Sequence, residues 1–221
     1  MPATLAFDIY GTLADPSGMA RPLAAHLNRA EDAESFAARW REKQLEYSFR
    51  RALMRRYVPF SECTKSALEF VCAERRENIS PAARAALLAI YGELPAFADA
   101  APCLQNLAKR RLFAFSNGET AAVEKILAHN RLAGFFAGIV SADEVQSFKP
   151  APEVYARFLS RAESRPEDTW LISANPFDII GARAAGWRAA WLQRGAPFDP
   201  WDEFRPDKTV SSLAELPEVL P

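Results

Sequence analysis

The length, composition and charge of the chain exclude several classes of protein. Its 221 residues, 49% hydrophobic and 25% charged, suffice for one globular domain with an insertion. The formal net charge of −1 provides no basic field for nucleic acid or an anionic membrane surface, and no apolar run approaches the roughly 20 residues that span a bilayer. Three widely spaced cysteines without a C-x-x-C pair argue against disulfides or a zinc site and favour the cytoplasm. With two histidines, the sequence gives little support for a His-dependent nucleophilic triad.

One strand and a long helical stretch come first along the chain. Residues 4–8, TLAFD, are typical of a buried strand, and this one ends in a carboxylate. Residues 24–92 then contain no strand candidate. Their apolar and charged residues alternate as in amphipathic helices, for example with Phe36, Trp40 and Gln44 spaced four residues apart.

From about Pro95 onwards, strands and helices alternate. The predicted strands are 111–116, 138–142, 169–174, 187–192 and 208–212, and the predicted helices are 100–109, 119–129, 152–162 and 179–185. This alternation is typical of right-handed βαβ units and a parallel sheet, and the apolar strands indicate a sheet covered on both faces. We therefore predict an α/β protein, with a Rossmann-like parallel sheet core (1–14 and 94–221) and an inserted all-helical domain (15–93).

Polar side chains follow four of the predicted strands. They are Asp8 and Thr12 at and after the end of the first strand, Ser116 and Asn117 at the end of the second, Lys149 in the loop after the third, and Ser173, Asn175 and Asp178 at and after the end of the fourth. Taken singly, the serines, Asn175 and Asp178 are as well explained by helix capping, and Lys149 by a solvated loop. A buried, unpaired carboxylate costs several kcal/mol, however, so Asp8 requires donors around it. Because ligands bind beyond the carboxyl ends of parallel strands, the set together predicts an active site.

These segments, in this order, resemble the four signature motifs of the haloacid dehalogenase superfamily. The segments are DIYGTL from Asp8, SNG from Ser116, FKP around Lys149, and SANPFD from Ser173. The inserted helices resemble the cap domain of that superfamily, and WREKQLEYSFRRALMRRYVPF, from Trp40, is similar to the cap helices of L-2-haloacid dehalogenases. The resemblance covers essentially the whole chain. It implies (S)-2-haloacid dehalogenase activity, in which L-2-haloalkanoic acids are hydrolysed to D-2-hydroxy acids and halide.

Tyr10 separates this activity from its main alternative. Phosphatases of the superfamily carry a second acid two residues after the first, and this acid protonates the leaving oxygen. A halide needs no proton because its conjugate acid is strong, so an aromatic residue at this position favours dehalogenation. The resemblance and the visible charges (Asp8, Asp178 and Lys149) both imply chemistry without a metal or other cofactor. The alternative is a superfamily phosphatase that acts on a small phosphate monoester with magnesium.

The resemblance also implies a role for each residue of the site. Asp8 attacks C2 and forms an ester with inversion, and Asp178, Asn175 and Lys149 position and activate the water that hydrolyses this ester. Further implied roles are donors to Asp8 and Lys149 (Thr12, Ser173, Tyr155), substrate carboxylate binding (Ser116), halide stabilisation (Arg41, Asn117, Phe177) and an apolar wall (Tyr10, Leu45, Phe60).

The charges around Arg41 and three departures from the family pattern qualify this interpretation. Arg41 has no carboxylate three or four residues away, whereas Arg39 and Lys43 each have a glutamate three residues on and are expected to form surface ion pairs. The departures are Glu42 in place of glutamine, Phe177 in place of tryptophan and Ala174 in place of serine. They leave the substrate range and the preferred halide open. The apolar cap helices also permit a homodimer.

Overall fold

A parallel sheet forms the centre of the structure, a computed structural model that describes residues 3–195, 197–199 and 201–220. Its strands are β1 (Thr4–Phe7), β2 (Arg111–Ser116), β3 (Gly138–Ser141), β4 (Thr169–Ser173), β5 (Arg188–Leu192) and β6 (Lys208–Val210). The six strands lie in the order β3-β2-β1-β4-β5-β6, and every neighbouring pair is parallel. The predicted parallel sheet is therefore confirmed.

The helices fall into two groups along the chain. Those between β1 and β2 are α1 (Ala20–Ala24), α2 (Ala33–Met54), α3 (Phe60–Arg75), α4 (Pro81–Tyr91) and α5 (Ala100–Asn106). The later ones are α6 (Thr120–His129), α7 (Pro152–Ala162), α8 (Pro176–Ala184) and α9 (Leu216–Val219). Every regular element within residues 15–93 is helical, which confirms the helical insertion. None of the described helices has the length and apolar character required to cross a membrane.

Alternate residues of β1 point to opposite faces of the sheet, and both faces are buried. Leu5 and Phe7 belong to one apolar cluster, which continues into the inserted helices. Ala6 belongs to a second cluster on the other face, together with Phe115 and Trp187. Burying a leucine or phenylalanine side chain stabilises a fold by about 1.5–3 kcal/mol. The two clusters therefore hold β1 rigidly at the centre of the sheet.

Some predicted boundaries differ from the structure. The predicted helix 179–185 begins earlier, at Pro176, because proline is well suited to the first helical position. The predicted helix 100–109 ends at Asn106. Strand β1 ends at Phe7, one residue before Asp8, although the Asp8 backbone N–H still donates to the Ile172 carbonyl at 3.0 Å.

The prediction of a surface ion pair at Lys43 is wrong. Its ammonium lies 2.6 Å from Glu46, as expected, but only 8% of the side chain is exposed. The Nζ atom lies 4.1 Å from the centroid of the Phe70 ring. Helix α3 packs against α2 and covers the aliphatic part of the lysine, as long charged side chains permit.

The strand order defines where a ligand site is expected. Strands β2 and β4 both flank β1. The chain runs outward from β1 through β2 to β3 and then crosses to β4 on the other side of β1, so the strand order reverses at β1. In folds of this kind, ligands bind where the strand order reverses, outside the carboxyl ends of the strands. Asp8 follows β1, and Asn175 follows β4, so both lie at this position.

Candidate active site

Asp8 leaves β1 and enters a tight turn that holds its carboxylate at the end of the sheet. Gly11 in this turn has a φ of +88°, a conformation that glycine adopts without steric cost. The turn brings the Thr12 hydroxyl back to Asp8, where it donates to Oδ2 at 2.9 Å. The Thr12 oxygen in turn accepts from the backbone N–H of Ala174 at 2.9 Å. One hydroxyl therefore connects the ends of β1 and β4.

The Oδ2 atom of Asp8 accepts two further hydrogen bonds from the end of β4. Asn175 Nδ2 donates at 2.7 Å, and Ser173 Oγ donates at 3.3 Å. Asn175 is the N-cap residue of α8, yet its side chain makes no capping hydrogen bond, because it is directed to Asp8. Thr12, Ser173 and Asn175 therefore converge on one carboxylate oxygen, and the Asp8 side chain is only 6% exposed.

Lys149 lies between two carboxylates. Its ammonium donates to Asp8 Oδ1 at 2.9 Å, to Asp178 Oδ2 at 2.6 Å and to the Phe115 carbonyl at 3.1 Å. All three N–H groups of the ammonium are used. Burial works against the charged form, but the two carboxylates outweigh it and raise the pKa of Lys149. The group is therefore a permanent cation in the site.

Asp178 is the second buried acid. Its Oδ1 accepts from the Tyr155 hydroxyl at 2.8 Å. Burial, assisted by the nearby charge of Asp8, raises the pKa of Asp178 to about 6, although Lys149 acts in the opposite direction. Burial also raises the pKa of Tyr155 well above its usual value, so this hydroxyl stays a donor. Asp178 is thus held in place and titrates close to neutral pH.

The two acids share one counter-ion, the Lys149 ammonium. Asp8 and Asp178 are the acids that meet here, and the Lys149 ammonium already bridges them at 2.9 and 2.6 Å. Within the described ranges, no cluster of three or more histidine, cysteine or acidic side chains has a spacing suited to a metal ion. The positive charge that balances the carboxylates of Asp8 and Asp178 is that of Lys149.

The side chain of Tyr10 points into an aromatic cluster of the inserted helices. Its ring centroid lies 5.8 Å from that of Phe60 and 5.9 Å from that of Tyr91. The residue is 5% exposed, and burial raises its pKa far above the usual range. Tyr10 therefore supplies a neutral, largely apolar surface beside Asp8 rather than an acid.

Arg41 of α2 reaches the same turn. Its Nη2 donates to the Tyr10 carbonyl at 3.3 Å, and this carbonyl also accepts from Asn175 Nδ2 at 3.0 Å. The Nη1 atom donates to Gln44 Oε1 at 2.7 Å. The sequence did not single out Gln44 as a functional residue, and the one available signal was its position three residues after Arg41.

None of the remaining predicted residues forms a hydrogen bond to Asp8 among the contacts of the described residues. Asn117 Oδ1 accepts from the Lys149 backbone N–H at 2.8 Å. Ser116 Oγ accepts from the Gly118 N–H at 3.0 Å. Phe177 lies at the start of α8, with its ring 5.1 Å from that of Phe49 on α2. Leu45 is half-buried on α2.

Two contacts show how the departures from the family pattern are accommodated. Glu42 is 67% exposed and lies 3.2 Å from the Arg39 guanidinium, so its charge is paired on the outside of α2. Ala174 contributes its backbone N–H to Thr12, a contact for which its side chain is not needed.

Comparisons with known proteins match most of the chain to one family. Residues 2–186 match the family model of the haloacid dehalogenase-like hydrolases. The chain belongs to this family. The chain resembles two curated relatives over nearly their full length. It is 33% identical to (S)-2-haloacid dehalogenase 2 of Pseudomonas sp. strain CBS-3, over 97% of this chain and 93% of the relative. It is 31% identical to haloacetate dehalogenase H-2 of Moraxella sp. strain B, over 98% of this chain and 96% of the relative.

One solved structure of a haloacid dehalogenase adds chemical information. It is the L-2-haloacid dehalogenase of Xanthobacter autotrophicus with chloropropionic acid covalently bound. It superposes with a TM-score of 0.90 at 29% identity and covers 99% of this chain and 98% of its own. The predicted membership of the haloacid dehalogenase superfamily is thereby confirmed, and so is the α/β core with a helical cap.

Proposed function

We propose that the protein is an (S)-2-haloacid dehalogenase, which hydrolyses L-2-haloalkanoic acids to D-2-hydroxy acids and halide. One observation carries the proposal. The Asp8 carboxylate receives three hydrogen bonds on Oδ2 and, within the described residues, only that of Lys149 on Oδ1. Oδ1 therefore keeps a lone pair for attack. The curated relatives named (S)-2-haloacid dehalogenase support this choice of reaction.

In the first step, Asp8 Oδ1 forms a bond to C2 of the substrate. The C2–halogen bond breaks with its electron pair, so halide leaves, and attack from the opposite side inverts C2. The Lys149 ammonium pairs with Oδ1 at 2.9 Å, and the three donors on Oδ2 hold the carboxylate in one orientation. The neighbouring structure with covalently bound chloropropionic acid supports an ester intermediate.

In the second step, water hydrolyses the ester at Cγ of Asp8. Negative charge then develops on Oδ2, which already faces Thr12, Ser173 and Asn175, so these donors act as an oxyanion hole. Asp178 accepts the proton of the attacking water, a role for which a pKa of about 6 is well placed. The Cγ–Oδ1 bond breaks, and the alkoxide takes the proton back from Asp178 and leaves as the D-2-hydroxy acid. Asp8 loses the second proton of the water to solvent, which restores its carboxylate.

The residues around Asp8 would bind the rest of the substrate. Ser116 would hold its carboxylate, and Tyr10, Leu45 and Phe60 would line its alkyl group. Arg41, Asn117 and Phe177 would surround the halogen, a role that is supported by the contact of Arg41 with the Tyr10 carbonyl.

We also propose the domain division, the location and the assembly that the sequence predicts. Residues 1–14 and 94–221 would form the core, and 15–93 the cap, which contacts the core through the hydrogen bonds Tyr57–Asp143 (2.6 Å) and Ser61–Glu119 (2.5 Å).

The three buried cysteines are free thiols, in keeping with the cytoplasm. A homodimer is tested by sedimentation: a single species of about 25 kDa would contradict it.

Two assays separate this function from a phosphatase. We expect halide release from L-2-chloropropionate without added metal and no phosphate release from p-nitrophenyl phosphate with magnesium. The Asp8→Asn variant should release no halide, because the amide is a poor nucleophile. Phosphate release without halide release would contradict the proposal. Chloroacetate belongs in the same series, since one relative is named a haloacetate dehalogenase.

A further inference from the structure

A buried chain of hydrogen bonds lies behind Arg41 in the helical insertion. Gln44 is fully buried and occupies its centre. Its Oε1 accepts from Arg41 Nη1 at 2.7 Å and from the Tyr91 hydroxyl at 3.0 Å. Its Nε2 donates to Thr64 Oγ1 at 2.5 Å. Three helices, α2, α3 and α4, therefore meet at one amide.

The direction of every hydrogen bond in this chain is determined. Thr64 has one hydroxyl proton, which it donates to the Phe60 carbonyl at 2.9 Å, so its oxygen accepts from Gln44. The amide oxygen must then face Arg41 and Tyr91. The flipped amide would place its NH₂ group against the guanidinium and leave buried donors without acceptors, which is costly. Only one amide orientation satisfies all the groups.

The fixed amide decides where the guanidinium of Arg41 points. An arginine side chain has many rotamers, and a fixed acceptor selects among them. With Nη1 held by Gln44, Nη2 reaches the Tyr10 carbonyl at 3.3 Å. Asn175 donates to this same carbonyl and to Asp8 Oδ2. The guanidinium is therefore held at the carbonyl of Tyr10, which is two positions along the chain from the nucleophilic Asp8.

We propose that Gln44, oriented by Thr64 and Tyr91, is a positioning residue that aims Arg41 at the departing halide. The proposal rests on the proposed function. Gln44 acts through Arg41, so it affects the step in which the carbon–halogen bond breaks. Removing its acceptor frees the guanidinium to move, and a displacement of about 1 Å costs about 10²-fold in rate. Chloride depends more on this stabilisation than bromide, because it is the poorer leaving group.

The test compares L-2-chloropropionate and L-2-bromopropionate by kcat/KM. Both substrates give the same ester, so kcat alone could report the shared hydrolysis, whereas kcat/KM reports halide displacement. For Gln44→Leu we expect a fall of about 10- to 100-fold with chloride and a smaller fall with bromide. Arg41→Lys should shift the bromide-to-chloride ratio in the same direction. Tyr91→Phe, which removes one hydrogen bond at almost unchanged shape, should shift it by a smaller amount.

Controls separate positioning from a general loss of structure. Gln105→Leu, on an exposed position of α5, should leave both constants unchanged. An equal loss with both substrates, or wild-type values in Gln44→Leu and Tyr91→Phe, would overturn the positioning role. If Gln44→Leu does not fold, the ratio in Tyr91→Phe decides. A wild-type protein that releases neither halide would overturn the proposed function itself, and the positioning role with it.

Discussion

The Lys149 ammonium lies 2.6 Å from the Asp178 carboxylate, and each side chain is at most 1% exposed. The same ammonium donates to Asp8 at 2.9 Å. One buried cation thus serves two buried acids, of which one is the proposed nucleophile and the other the proposed base. The stability of the site and its chemistry therefore depend on the same three charges.

Removing the cation should harm both stability and activity. Lys149→Met leaves two buried carboxylates without a counter-charge, and we expect a loss of about 3–5 kcal/mol in the free energy of unfolding at neutral pH. Halide release should fall by at least about 10²–10³-fold. Urea unfolding and halide assays measure the two effects. The exposed Lys109→Met variant should match the wild type, and a stable, active Lys149→Met variant would contradict the account.

The hydrolysis of the ester should depend on the ionisation of Asp178. Its pKa is raised to about 6, and only the ionised carboxylate accepts a proton. The hydrolysis rate should therefore rise about tenfold per pH unit below pH 6 and level off above it. Quenched-flow measurement of ester decay tests this directly. A rate that does not change between about pH 5 and about pH 8 would exclude Asp178 as the base, and Asp178→Asn should lose the titration together with most of the activity.

Gly181 in α8 leaves the space that the Tyr155 hydroxyl occupies. A Cβ atom at this position would lie 2.6 Å from Tyr155 Cζ, closer still to its hydroxyl, and 2.8 Å from Pro150 Cβ. Gly181→Ala should therefore displace Tyr155 from Asp178 and cost about 1–3 kcal/mol by overpacking. Gly134→Ala is the matched control, because a Cβ there meets nothing within 4 Å. Equal melting temperatures and equal halide release of the two variants would contradict the prediction.

The acid at position 42 should not disturb the substrate. Glu42 is paired with Arg39 on the outside of α2, so its charge is directed away from the site and screened by solvent. Glu42→Gln should therefore keep kcat/KM for L-2-chloropropionate within about twofold of the wild type. A rise of tenfold or more would show that this carboxylate repels the anionic substrate.

Much of the site could be predicted from the sequence because it follows strand ends. Ser173 ends β4, and Asp8, Asn175 and Lys149 come directly after strands or in the loops that follow them. A parallel sheet brings such positions together. The apolar strands and the alternating pattern were sufficient to predict the sheet itself. The functional interpretation depended on Tyr10. The residue type at this position decides whether a second acid follows Asp8, so this inference needs no knowledge of long-range contacts.

The contacts between helices could not be predicted in this way. The hydrogen bond between Gln44 and Tyr91 joins residues that are 47 positions apart, and no periodicity encodes it. The burial of Lys43 has the same origin, since only the packing of α3 against α2 covers this side chain. The start of α8 was missed because Pro176 follows residues whose side chains bind Asp8 instead of capping the helix.

The central claim is that Asp8 itself attacks the substrate, and a single turnover in ¹⁸O-labelled water tests it most directly. With enzyme in excess over L-2-chloropropionate, the hydroxyl oxygen of the product comes from Asp8, and water replaces it in the carboxylate. Mass spectrometry should therefore find unlabelled D-lactate and one ¹⁸O atom in the peptide that contains Asp8. Labelled lactate together with an unlabelled Asp8 peptide would mean direct attack by water and would contradict the account.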